Sequence, residues 1–182
     1  MNDFAGRYDW IDDVMEIFAL DIVWLMLSVM VYLWFTGRED NQRTVFYAFL
    51  TASISLLLAI FFISPEVNHA RPFVQHQVIQ LIPHAPDPSF PSDHAVLAFS
   101  LAFSVLFAKR KLGLVMILLA LATGIARVYV GVHYPADILG AIVLSFGMSF
   151  LVWRGRKKLE SIPNFFIRLY QNLLNRLFGS HE

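Results

Sequence analysis

The sequence predicts an all-α polytopic membrane helix bundle, and three observations carry that prediction. Of 182 residues, 57% are hydrophobic and 15% charged, with mean hydropathy +0.58; ordinary globular chains are less apolar. Apolar runs recur at roughly the 20-residue length that carries a helix across a bilayer. Backbone facing lipid must satisfy its own hydrogen bonds, so each run has to be helical.

In chain order the candidate spans are Val14–Thr36, Thr44–Ile63, Ser92–Ala108, Leu112 to about Val130, and Pro135–Trp153. That makes five transmembrane helices, or six if the N-terminal segment "MNDFAGRYDWIDD", read as interfacial, also inserts. The N-terminus lacks the basic start and small-residue cleavage site of a secretory signal, so the first span is expected to act as an uncleaved signal anchor. Asp21 lies within that span. A charge at that depth is costly, so Asp21 is expected to face the bundle and pair with an Arg or Tyr. The stretch "SIPNFFIRLYQNLLNRLF" places Ile162, Phe165, Phe166, Leu169, Tyr170, Leu173, Leu174 and Leu177 at helical spacing. This is an amphipathic helix with Arg168 and Arg176 on its polar side, expected on the inner leaflet. The expected division is a membrane domain over residues 1–158 and a cytoplasmic tail over 159–182.

A net charge of zero hides an asymmetry. Eleven of the fourteen Lys and Arg lie in "GREDNQR", in "KRK" and from Arg154 onward, while Arg7, Arg71 and Arg127 lie on the other side. The positive-inside rule then puts the C-terminus in the cytoplasm and the N-terminus outside. Cysteine is absent, which excludes disulfides and thiolate chemistry. The two outward segments hold five of the six His, so chemistry is sought there.

"FPSDHAVLAF" (90–99) starts a helix with polar groups: Ser92 or Asp93 can cap it. A plain N-cap is the simplest reading. The same helix start also offers free N–H groups and a positive dipole end, an anion site with His94 beside it as a proton donor. Arg127, His133 and Asp137 follow at spacings of six and four, with Pro135 suited to the first position of the last helix. Asp137 alone could be a capping carboxylate and His133 an interfacial ring. As a set they form an oriented nucleophile or base beside an anion clamp. Arg71, held out of helix by Pro72, adds a second guanidinium, and two planar forks suit a phosphoryl group. A metal site built from His69, His76, His84, His94 and His133 is a competing reading, but the spacings match no zinc motif and two Arg would repel a cation. His76 and His84, in "FVQHQVIQLIPH", read first as surface His near headgroups and second as contacts to a further phosphate.

Arg71-Pro72, "PSDH" at 91–94, and Arg127 with His133 and Asp137 resemble the three signature motifs of the type 2 phosphatidic acid phosphatase superfamily, over the second to fifth spans. "HARPFV", "LIPH" and "FPSDH" resemble most the bacitracin-resistance type of undecaprenyl diphosphate phosphatase. The resemblance implies metal-independent hydrolysis of undecaprenyl diphosphate to undecaprenyl phosphate, recycling the lipid carrier for cell-wall synthesis. It implies His133 as nucleophile forming a phosphohistidine, Asp137 orienting its ring, and His94 as acid and then base. Arg71, Arg127, Ser92 and the Asp93 N–H would cradle the phosphoryl group. The family's usual Lys is Ser64 here, with His69 or Asn68 as possible substitutes; its usual Gly is Asp93, and a common Ser is Ala126. The implied partners are an isoprenoid lipid diphosphate and membrane lipids, with no nucleic acid, cofactor or metal, in a bacterial cell membrane with the site extracytoplasmic. Tail length, preference for mono- or diphosphate, and oligomeric state stay open. Alternatives are a phosphatase of phosphatidylglycerol phosphate, phosphatidate or other lipid phosphates, and a non-catalytic lipid-phosphate binding or transport protein.

Overall fold

The computed structural model describes residues 2–178. After a single 3-10 turn (Asn2–Phe4), the helices are α1 (Asp9–Leu20), α2 (Ile22–Phe35), α3 (Glu39–Leu58), α4 (Ser64–Val67), α5 (Pro72–Gln75), α6 (Asp93–Ala108), α7 (Arg110–Tyr129), α8 (Pro135–Gly155) and α9 (Ser161–Phe178). A π-helical turn, Ala59–Ile63, joins α3 to α4 without breaking the run. Three helical stretches are long and apolar enough to cross a membrane: the α3 stretch counted through Gln75, α7 and α8. A fourth is gained if α1 and α2 count as one span.

Two expectations need revision. The first span is two helices bent by 44°, and Asp21 sits exposed at the bend rather than inside the bundle. The buried carboxylate of this region is Asp12, which accepts the Tyr129 hydroxyl at 2.8 Å and the Gly6 N–H at 2.9 Å. Both bonds satisfy a charge that the apolar surroundings would otherwise expel. The third span, α6, has only 16 residues, about 24 Å at 1.5 Å per residue against a hydrocarbon core of about 30 Å. Its run is short because Ser92 and Asp93 make its start polar and Lys109 leaves helical geometry at its end.

α6 is the central helix, packed against α7, α8 and α3. Ala95, Val96, Ala98, Phe99, Leu101, Ala102 and Val105 are all buried. Small residues let its backbone approach α8 closely, where association rests on packing and hydrogen bonds. Ser100 donates to Ser145 at 3.1 Å, and Ser145 donates to the Val96 carbonyl at 3.0 Å. One turn further, the Ser104 and Ser149 hydroxyls lie 3.4 Å apart.

A second, smaller cluster of Ala5, Ala19, Ile82, Ala126, Tyr129, Val130 and Val132 sits where the loop 76–92 folds over the α7–α8 turn. The Asn2 amide donates to the Ile79 and Tyr129 carbonyls, both at 2.8 Å, and its oxygen accepts the Ile79 N–H at 3.0 Å. Gly131 turns the chain at φ 81, and a Cβ there would lie 2.6 Å from the Ile79 carbonyl. Both the turn and the close approach therefore require glycine. The N-terminal segment thus pins the loop that leads to the candidate site.

α9 packs back on the bundle. Tyr170 meets Trp34 at 5.4 Å and Phe35 at 6.4 Å between ring centroids, Phe166 meets Phe46 at 5.7 Å, and Ile167 is buried. Phe165, Leu169 and Leu173 stay exposed.

Candidate active site

Four helix ends converge on one end of the bundle. Arg71 precedes α5 with extended backbone (φ −68, ψ 157), as a residue before proline should. Arg127 lies in the last turn of α7 and Asp137 in the first turn of α8, with His133 in the turn between them. Ser92 stands at the N-cap of α6, with Asp93 and His94 in its first turn. Gly140 of α8 lets the Phe90 ring approach, since a Cβ there would lie 2.3 Å from that ring. This brings the "PSDH" turn against α8, and the Ser92 N–H points at the Asp137 carbonyl at 3.4 Å.

The His133 ring is fixed from both sides. Its Nδ1 lies 3.2 Å from Asp137 Oδ2. A carboxylate can only accept, so Nδ1 carries the proton and Nε2 presents its lone pair. Facing that lone pair are Arg71 Nη1 at 3.1 Å and Arg127 Nη2 at 3.3 Å. His133 is 3% exposed. Burial, assisted by the charges of Arg127 and Arg71 and opposed by Asp137, pushes its imidazole down to about 4. The ring is therefore neutral through the physiological range, with its unprotonated nitrogen against the two guanidinium groups that would hold an anion.

The two guanidinium groups differ. Arg71 donates from Nε to Asp87 Oδ1 at 3.0 Å, from Nη1 to the Val132 carbonyl at 3.1 Å, and from Nη2 to the Pro88 carbonyl at 3.4 Å. Burial alone would raise the Asp87 carboxyl; the hydrogen bond and charge of Arg71 outweigh it and hold Asp87 below the usual carboxylate range. Arg127 is 1% exposed, its Nε has no partner, and among the described residues no carboxylate lies within ion-pair distance. A buried guanidinium without a counter-charge is expensive unless an anion arrives.

The simple capping reading fails for Ser92, which makes no side-chain cap bond and whose buried Oγ has no partner. The α6 N-terminus is left open beside the guanidinium groups, as an anion site requires. Asp137 does cap: its Oδ2 accepts the Tyr134 N–H at 2.9 Å as well as His133. One carboxylate thus starts the helix and orients the ring. His94 is half-buried within electrostatic range of Arg127, His133 and Arg71, and Asp93 is exposed. His69 bonds Ser89 Oγ at 3.2 Å and packs its ring 4.8 Å from that of Tyr134. Asn68 ends α4 in left-handed geometry (φ 42, ψ 43). Neither bonds to the His133 cluster. His76 lies against Tyr134, at 6.0 Å.

One residue of the cluster, Asp87, escaped sequence reasoning, and of the two readings of His84 the surface one gives way. The His84 ring stands edge-on to that of His133 with centroids 6.1 Å apart; its Nδ1 lies 3.1 Å from the Ala85 carbonyl and 3.5 Å from Asp87 Oδ1. Burial and then the charges of Arg71 and Arg127 hold this imidazole below its ordinary value. His84 therefore belongs to the cluster and not to the headgroup surface. A signal existed: His84 and Asp87, three apart, sit among Pro83, Pro86 and Pro88, which force a loop to fold back. Among the described residues no three His, Asp or Glu side chains group in a way that could hold a metal ion.

Comparison with known proteins agrees with this geometry. The family model of the PAP2 superfamily matches residues 44–161. The chain is 36% identical over 149 residues to undecaprenyl-diphosphatase BcrC of Bacillus subtilis, covering 82% of this chain and 77% of that protein. It is 30% identical over 144 residues to the putative undecaprenyl-diphosphatase YbjG of Escherichia coli, covering 79% and 72%. Its fold resembles the crystal structure of Aquifex aeolicus LpxE (TM-score 0.65, 21% identity, 82% and 88% covered). It also resembles a PAP2 type phosphatidylglycerolphosphate phosphatase of Bacillus subtilis (TM-score 0.60, 22% identity, 84% and 79% covered).

Proposed function

This chain belongs to the PAP2 superfamily, and from that premise we propose that it hydrolyses a lipid diphosphate, undecaprenyl diphosphate to undecaprenyl phosphate, through a phosphohistidine. The observation that carries this reading is the His133 ring, with Nδ1 on Asp137 and Nε2 facing Arg71 and Arg127. In the first step Nε2 attacks the terminal phosphorus, a P–N bond forms, the P–O bond to the lipid phosphate breaks, and His94 protonates the departing oxygen. In the second step His94 takes a proton from water, whose oxygen attacks phosphorus; the P–N bond breaks and inorganic phosphate leaves. Arg71, Arg127, Ser92 and the Asp93 N–H hold the equatorial oxygens in both steps. Splitting one slow displacement in two is how a covalent nucleophile lowers a phosphate-ester barrier. With His84 beside His133, a second phosphate has a partner, which supports a diphosphate over a monophosphate; His69 and Asn68 are left as outer contacts.

The proposed topology has five spans, with α6 the shortest, the site extracytoplasmic and the C-terminus cytoplasmic. It rests on the charge asymmetry of the loops. The proposed tail is 159–182, of which 179–182 lie outside the described residues, with the exposed face of α9 on the inner leaflet.

The test uses purified protein and undecaprenyl diphosphate labelled at the terminal phosphate. Alkaline quenching, which spares P–N bonds, should leave label on the wild type and none on His133→Ala, whose turnover should be abolished. The reading fails if no label is trapped while turnover continues. It also fails if His133→Ala keeps more than about a tenth of the rate, a loss under ~1.4 kcal/mol.

A further inference from the structure

The end of the bundle opposite His133 contains a cavity of about 530 Å³ between α3, α6, α8 and the turn that leads to α9. Its lining carries Arg43, Lys109, Arg156 and Lys157 against the carboxylates of Asp40 and Glu160, and Glu39 also pairs with Arg43, so positive charge exceeds negative by one. One wall is apolar: the Phe107 and Trp153 rings lie 5.6 Å apart beside Val152, and the Arg156 guanidinium stacks over Trp153 at 4.4 Å. The floor is polar. Thr51 lines the cavity, is 0% exposed and its Oγ1 has no partner; Ser104 and Ser149, whose hydroxyls lie 3.4 Å apart, line it too. Thr51 follows Arg43 by eight residues on α3, which places it about 12 Å from the mouth.

Of the four buried hydroxyls without a partner among the described residues, Thr51, Ser55, Ser92 and Thr123, only that of Thr51 belongs to a residue lining this cavity, and a buried polar group calls for a partner. Arg43 adds a second such atom. Its terminal nitrogens bind Glu160 and Glu39, the latter at 3.5 Å, while its buried Nε is unpartnered. A free phosphate would leave the aromatic wall and the deep floor unused. A metal cation would meet four like charges.

We propose that this cavity binds one molecule of an anionic phospholipid whose headgroup carries a hydroxyl. The phosphodiester lies among Arg43, Lys109 and Arg156, the headgroup hydroxyl reaches Thr51 and Ser104, and an acyl chain follows Phe107 and Trp153. A singly charged diester suits the site because Glu160 and Asp40 already offset part of the positive charge. The proposal is independent of the catalytic reading, since it involves none of the His133 cluster.

The full chain, purified in detergent and stripped of lipid, is titrated with phosphatidylglycerol, phosphatidylcholine or inorganic phosphate and read by native mass spectrometry. One phosphatidylglycerol should bind about tenfold more tightly than phosphatidylcholine. Arg43→Gln should remove most of that preference. Thr51→Val, which keeps shape and deletes only the hydroxyl, should weaken phosphatidylglycerol severalfold and spare phosphatidylcholine. Equal binding of the two lipids overturns the proposal, as does wild-type binding by both variants. Displacement of phosphatidylglycerol by millimolar inorganic phosphate also overturns it, because the site would then read phosphate alone.

Discussion

The two ends of this bundle both hold arginine, and they treat it in opposite ways. At the His133 end, Arg127 is almost wholly buried with no carboxylate of the described residues within ion-pair distance, and Arg71 pairs with Asp87. At the other end Arg43 is partly exposed and already pairs with Glu39 and Glu160. Uncompensated charge in a dry place is a device for holding an anion whose charge grows or shifts during reaction. Compensated charge at a wetter mouth can select a ligand but has little left to give a transition state. The comparison therefore separates a place built for chemistry from a place built for holding, and it can be broken experimentally.

After loss of His133 itself, the largest effect should come from His94. If the His133 end performs chemistry, His94→Ala must hurt most where the leaving oxygen is basic and least where it departs unaided. The expected loss is about 10² to 10⁴ on an alkyl lipid phosphate, and far less on an aryl phosphate of low leaving-group pKa. Parallel kinetics of the variant on both substrates decide it. Equal losses would reduce His94 to one more phosphate contact, and the His133 end would differ less from the other end than its charges suggest.

A middle-sized effect should appear in the pH profile. His133 must be neutral to attack, and burial together with Arg127 and Arg71 holds its imidazole near 4. The acid limb of kcat/KM should therefore lie well below the ordinary His range, with activity flat above it until another group titrates. Arg71→Gln removes one of the two charges that repel the imidazolium, so the His133 pKa must rise and the limb must move to higher pH. A profile with its limb unmoved, in a variant that still turns over, would show that the guanidinium groups do not act on this ring electrostatically.

The sequence made part of this division legible. Apolar runs, loop charges and a Pro at the head of the last span require only local patterns and span rules. A turn carrying Arg127 and His133, with Asp137 one helical turn beyond, leaves those three side chains little choice but to meet. The bend at Asp21 was not legible, because an apolar run looks the same whether its helix is straight or broken. Nor was the pinning of the loop by Asn2 and of α7 by Asp12, since Asn2 and Tyr129 are 127 residues apart and only the folded chain joins them. The tail-end cavity is invisible for the same reason: Arg43, Thr51, Phe107 and Trp153 come from three different helices. Each, read along its own helix, passes for an ordinary interfacial or packing residue.

The smallest effect concerns His84, and it sharpens the comparison by asking how far the anion site extends. His84 Nδ1 faces the Ala85 carbonyl, so the proton sits there and Nε2 is the free nitrogen. Burial and the nearby Arg71 and Arg127 charges keep the ring neutral at rest. A phosphate dianion beside it would reverse that balance, favour the imidazolium and turn Nε2 into a donor. On this reading a monophosphate held by Arg71 and Arg127 acts on the ring only at a distance, while the second phosphate of a diphosphate would sit beside it. One hydrogen bond of ordinary net strength is about 1 kcal/mol, or about fivefold. His84→Asn should thus lower kcat/KM by about that factor on a lipid diphosphate and by less than twofold on the monophosphate of the same lipid. If both substrates suffer equally, the ring is packing for His133 and the second phosphate is held elsewhere. If neither suffers, the anion site ends at the two guanidinium groups, and selectivity for a diphosphate has to come from the lipid tail.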